Sequence, residues 1–106
     1  MDLQFDDVQT WEEFASTLPK SLSDTDKLMA AICYKVEAEN NNVADISEIA
    51  NNYFRRARWP RPVNLSATAN YCASKGWLSE VTYSNNRKVW KMTKHGYTMI
   101  KSKVNQ

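Results

Sequence analysis

The stretch that decides the fold is "NLSATANYCASKGWLSEVTYSNNRKVWKMT", Asn64 to Thr93. Its hydrophobic period changes once, at Gly76. Ahead of that glycine, Leu65, Ala69 and Cys72 recur at i, i+4 and i+7, the spacing of one buried helical face. Asn64 follows Pro62 and Val63 as a natural N-cap, and Gly76 stands where a left-handed C′ residue costs little. Ser66, Ala67, Asn70, Tyr71 and Ser74 then face outward or sideways. Beyond Gly76 the pattern is extended. Trp77, Val81, Tyr83, Val89 and Trp90 supply β-branched and aromatic content in two runs around "SNNR", and Asn-Asn tolerates the positive φ of a tight hairpin turn. This spacing predicts a helix followed by a hairpin.

Two stronger helical patterns lie upstream. In "SLSDTDKLMAAICYKVEAEN", Ser23 and Asp26 have capping-box spacing, and Leu28, Met29, Ile32, Cys33 and Val36 form an apolar stripe that Asn40, Asn41 and Asn42 end. In "NVADISEIANNYF", Asp45 is the N-cap, with Glu48 three residues on. Ile46, Ile49, Ala50 and Tyr53 point inward, and the helix is expected to run out near Arg56 to Arg58. A shorter helix is expected from a Thr10 cap, with Trp11, Phe14 and Leu18 on one face and Pro19 ending it. After the hairpin, Thr93 caps a last helix with Tyr97 and Ile100 inward, which Gly96 weakens.

These elements define a chain that is mainly α with a small β-hairpin. Its 106 residues suffice for one core. Residues 1–21 read as an N-terminal segment that either caps the core or makes a homodimer, and residues 22–106 as the main domain. No apolar run approaches membrane-spanning length, and the start "MDLQFDDVQ" lacks the basic and apolar regions of a secretory signal. A cytoplasmic protein is therefore expected. Cys33 and Cys72 lie in apolar helical contexts and read as free buried thiols, with a disulfide as the alternative.

Charge separates the two halves. Residues 1–50 hold eleven acids and three bases, a formal charge of −8; residues 51–106 hold one acid and eleven bases, +10. An acidic partner for the second half is the expectation. Four of the bases, Arg55, Arg56, Arg58 and Arg61, fall in "NYFRRARWPRPVN" between the second and third strong helices. Pro60 and Pro62 stiffen that loop and would lower the entropy lost on ordering its arginines. The competing reading pairs these arginines with the acidic first half.

Three helices and a two-stranded hairpin resemble the winged helix-turn-helix domain of prokaryotic DNA-binding proteins, over roughly Leu22 to Lys101. The likeness is carried by "ADISEIANNYF" as support helix, "NLSATANYCASKGWL" as recognition helix, "EVTYSNNRKVWKMT" as wing and "MTKHGYTMI" as exit. It implies double-stranded DNA as partner, a role as a small transcriptional regulator, a possible homodimer, helix 64–75 in the major groove and wing residues Arg87 and Lys88 on minor groove or backbone. On that frame Arg55, Arg56, Arg58 and Arg61 would meet phosphates. Asn64, Ser66, Ala67, Thr68, Asn70 and Tyr71 would face bases, although Asn64 reads equally as a cap. This chain departs from the simplest pattern in its longer, more basic loop and in lacking arginine or lysine early in the recognition helix. A protein-interaction module, working through the acidic half or Trp59, and an RNA binder are the alternatives.

No catalytic pattern is present. His95 is the single histidine, two glycines leave no phosphate loop, and neither Asp6–Asp7 nor Glu12–Glu13 converges on one site. Neither enzyme activity nor a cofactor is expected.

Overall fold

The structure, a computed structural model, describes residues 10–82 and 88–104. Five helices and one two-stranded antiparallel sheet follow in chain order. They are α1 (Trp11–Thr17), α2 (Asp24–Glu37), α3 (residues 46–56), α4 (Leu65–Ser74), β1 (Leu78–Thr82), β2 (Lys88–Met92) and α5 (Lys94–Val104). Residues 83–87, where the sequence pattern places the turn and where Arg87 falls, lie outside the described residues.

Side-chain caps set the helix starts. Thr10 Oγ1 accepts from the Glu13 N–H while Glu13 reaches back to the Thr10 N–H, a complete capping box. Ser23, Asp45 and Asn64 accept from the N–H groups of Asp26, Ser47 and Ala67. Glu48, expected to complete a box with Asp45, instead carries its carboxylate to Lys35 Nζ on α2. A charge buried elsewhere has drawn away the residue that local spacing assigned to the cap.

The stripe expected on α2 is too narrow. Every residue from Leu28 to Lys35 is buried, all the way round the helix. The other elements surround it: α5 and α4 run alongside, β2 crosses it, and the aromatic rings of α1 and α3 close the remaining side. Trp11 is fully buried, edge-on to Tyr34 and Tyr53, and its Nε1–H donates to the Tyr53 carbonyl at 2.7 Å. Phe14 and Leu18 are buried with it, so α1 spends its apolar face on the chain's own core.

The hairpin is tied to the helices at two places. Ala44, between α2 and α3, bridges Trp90 of β2 through two backbone hydrogen bonds of 2.8 and 2.9 Å. Asn42 adds a side-chain pair with the backbone of Met92. At the other end, Gly76 takes φ +79°. The N–H of Trp77 then reaches the Cys72 carbonyl and that of Gly76 the Ala73 carbonyl, closing α4 in a left-handed cap. Thr93 Oγ1 donates to the Gly76 carbonyl and accepts from the Gly96 N–H, so one side chain joins the end of α4 to the start of α5.

Gly96, read from sequence as a weakness of the last helix, is required by packing. A Cβ there would lie 2.2 Å from the Trp77 carbonyl oxygen. Gly96→Ala should therefore destabilise the protein by about 3 kcal/mol in urea unfolding, because backbone has to move; a loss below ~0.5 kcal/mol would contradict this packing.

Cys33 and Cys72 are free and buried. Burial pushes their thiols up to about 12 and about 11. Both should resist a thiol-labelling reagent in the folded protein and react once urea unfolds it; fast labelling without denaturant would contradict their burial.

Candidate nucleic-acid interface

The candidate interface lies where α3 ends. Its first turn, Ile46–Glu48, and its last, Phe54–Arg56, are α-helical, but Ile49–Tyr53 form a π turn in which the Phe54 N–H reaches the Ile49 carbonyl. One extra residue in the turn rotates everything after it by roughly 100° relative to an uninterrupted helix. The consequence is visible in burial: Tyr53 and Phe54, neighbours in sequence, are both buried, and Arg55 and Arg56 are both exposed.

The helix then stops in a left-handed residue that is not glycine. Arg58 has φ +59°. Its N–H reaches the Arg55 carbonyl and the Trp59 N–H reaches the Phe54 carbonyl, both at 3.0 Å. An L-residue in this conformation costs on the order of 1 kcal/mol relative to glycine. The cost is met at a position whose side chain stands in solvent beside two other arginines.

The four arginines divide. Arg56 donates from Nε and Nη2 to Glu12 Oε1 at 3.1 and 2.6 Å and lies over the Tyr53 ring. The Arg56 hydrogen bonds hold the Glu12 carboxyl below its usual range. Arg56 thus meets the acidic first half, as the competing reading of the loop has it. Arg55, Arg58 and Arg61 do not: among the described residues no carboxylate lies within salt-bridge distance of them. These three line one open groove of about 500 Å³, with Asn51 beside them and Ala50, Phe54 and Trp59 as its apolar wall. Trp59 is half-buried, edge-on to Trp11 at 5.4 Å and Phe54 at 5.1 Å, with Lys27 over its ring. It stiffens the loop from below.

Pro60 to Val63 lead directly into α4. Leu65, Ala69 and Cys72 are buried as their spacing predicts, and Ser66, Ala67, Asn70, Tyr71 and Ser74 are exposed. Asn64 uses Oδ1 as the cap, and Thr68 Oγ1 donates to the Asn64 carbonyl, so both side chains are already engaged locally. The Tyr71 ring stands edge-on to Trp77 with Lys75 over it. At the wing, Lys88 pairs with Glu80 across the strands at 2.9 Å and covers the Trp90 ring. Lys88, Ser66 and the first turn of α3 share a crevice of about 210 Å³, which brings the first residue of β2 next to the start of α4.

Sequence reasoning missed the π turn, the Glu12–Arg56 pair and the exposure of Val63. The first two join or shift residues in ways that no local spacing reports. Among the described residues no group of three His, Cys, Asp or Glu could hold a metal ion, and no helix is long and apolar enough to cross a membrane. Compared with known proteins, the chain matches no family model, no curated protein and no solved structure.

The left-handed arginine yields a direct test of local strain. Arg58→Gly should raise stability to urea by about 1 kcal/mol. A loss of stability would mean that the Arg58 side chain holds the loop together.

Proposed function

We propose that this chain is a winged helix-turn-helix domain that binds double-stranded DNA and acts as a small transcriptional regulator, without covalent chemistry or cofactor. The observation that carries this reading is the trio Arg55, Arg58 and Arg61, without a carboxylate partner among the described residues and grouped immediately ahead of an exposed, uncharged helix. The element order supports it as well: α2, α3 and α4 are followed by a hairpin, and the hairpin is bridged back to the α2–α3 connection at Ala44.

The mechanism follows from charge and shape. Lysine and arginine displace the counterions condensed on DNA, so the elbow supplies affinity that salt weakens. The start of α4 follows the elbow directly, and a helix N-terminus favours phosphate. With the elbow on the backbone, α4 lies along the major groove with Ser66, Ala67, Asn70 and Tyr71 toward the bases. Lys88, Lys91 and the wing reach the neighbouring backbone. Arg56 contributes mainly by holding α3 against α1.

Anisotropy titration of duplex DNA at several salt concentrations tests this. Replacing Arg55, Arg58 and Arg61 together by Gln should weaken binding at least tenfold. It should also flatten the slope of log K against log salt by about two to three, close to one unit per lost phosphate contact. Arg58→Gly alone should bind several-fold more weakly while being no less stable. An unchanged salt slope in the triple variant would remove the elbow from the interface.

A further inference from the structure

The face that α4 would present to DNA is apolar in a specific way. From Pro62 to Ser74 no side chain is charged. Only two large hydrophobic residues among the described ones stand exposed, and both belong here: Val63 is 100% exposed in the lead-in to α4, and Tyr71 is 49% exposed two turns on. Ala67 lies between them in sequence at spacings of four and four, and it is also exposed. An aliphatic side chain wholly in water gains nothing for the fold. Its neighbours make the position more informative, since Arg58 and Arg61, without a carboxylate partner among the described residues, precede it and Lys75 follows the helix.

Resting on the DNA-binding reading above, we propose that Val63, Ala67 and Tyr71 read A·T base pairs through the C5-methyl group of thymine, so that the preferred site is A·T-rich. In the major groove thymine is marked by that methyl group, the one apolar feature among the four bases there, while guanine is commonly read by arginine or lysine. From Leu65 to Ser74 the helix carries no arginine or lysine, the usual guanine readers, and the cation that follows it, Lys75, lies over the Tyr71 ring. The helix does offer an alanine and a tyrosine edge one turn apart, with a fully exposed valine just ahead of the N-cap. Asn70, exposed beside Tyr71, has the amide that pairs with adenine N6 and N7, the other half of the same base pair. The arginines and lysines on either side attract polyanion and repel a second copy of the same face, which favours DNA over self-association on this surface.

The test uses the whole chain and a duplex selected from a random pool, in which A·T enrichment at the centre is expected. Deoxyuridine then replaces thymidine at each central position, deleting only the methyl group. Loss of affinity should be about fourfold per contacted methyl, the fold-change that matches about 0.8 kcal/mol for one buried carbon group. Val63→Ala, at a fully exposed position that should not disturb folding, should weaken binding to the thymidine duplex and shrink the thymidine–deoxyuridine difference at one position, leaving the others intact. Equal affinity for thymidine and deoxyuridine duplexes, with salt-sensitive binding retained, would overturn the methyl reading and leave DNA binding standing. Absence of duplex binding at low salt would overturn both. A concentration-dependent dimer abolished by Val63→Ser would assign the face to self-association and overturn the proposal.

Discussion

Eight consecutive residues of α2, Leu28 to Lys35, have to be kept from water on every side. A fourteen-residue helix cannot do this alone, and the rest of the chain is arranged to do it. The α1 rings close one side, α4 and α5 two others, and β2 crosses the helix. The demand is sharpest at Lys35, which is 3% exposed and carries a charge. Its Nζ meets the Glu48 carboxylate and lies over the Tyr53 ring. A buried cation without such a partner would be strongly destabilising, so α3 is held to α2 by a matched charge as well as by apolar contact.

Tyr53 is where this constraint passes to the surface. Its carbonyl accepts the Trp11 indole, its ring faces Lys35 on α2 and Arg56 on its own helix, and its hydroxyl donates to Glu39. Burial, followed by that bond, raises the phenol well above its ordinary range, so it stays a donor. Tyr53 sits inward beside Phe54 at the end of the π turn. The same turn sends Arg55 and Arg56 outward. The basic elbow is thus a consequence of how α3 is fitted against α2, and Arg58 completes it in a strained conformation that a glycine would adopt more cheaply.

Much of this was legible in the sequence. Asn64, Gly76 and Thr93 act as the caps their types and positions imply, and the strands pair on either side of the stretch that reads as a turn. The inward and outward residues of α4 fall as 3.6-residue periodicity assigns them. These features depend on neighbours within a few positions. What was not legible depends on distance. Glu12 meets Arg56 across 44 residues, Asn42 pairs with Met92 across 50, and Glu48 leaves its cap for Lys35. Gly96 looked like a flaw in a helix until Trp77 was found against it. In the candidate site, the sequence grouped the four arginines as equals. Only tertiary contact separates Arg56, which meets Glu12, from Arg55, Arg58 and Arg61, which have no carboxylate partner among the described residues.

The central claim is that one face, running from the elbow through α4 to the wing, meets DNA. Amide chemical-shift perturbation on adding a duplex maps that contact residue by residue. The account predicts shifts concentrated at residues 55–74 and 88–91, fading as salt is raised, with α1 and the acidic ends of α2 unmoved. Shifts centred on the acidic first half, or none at low salt, would contradict it.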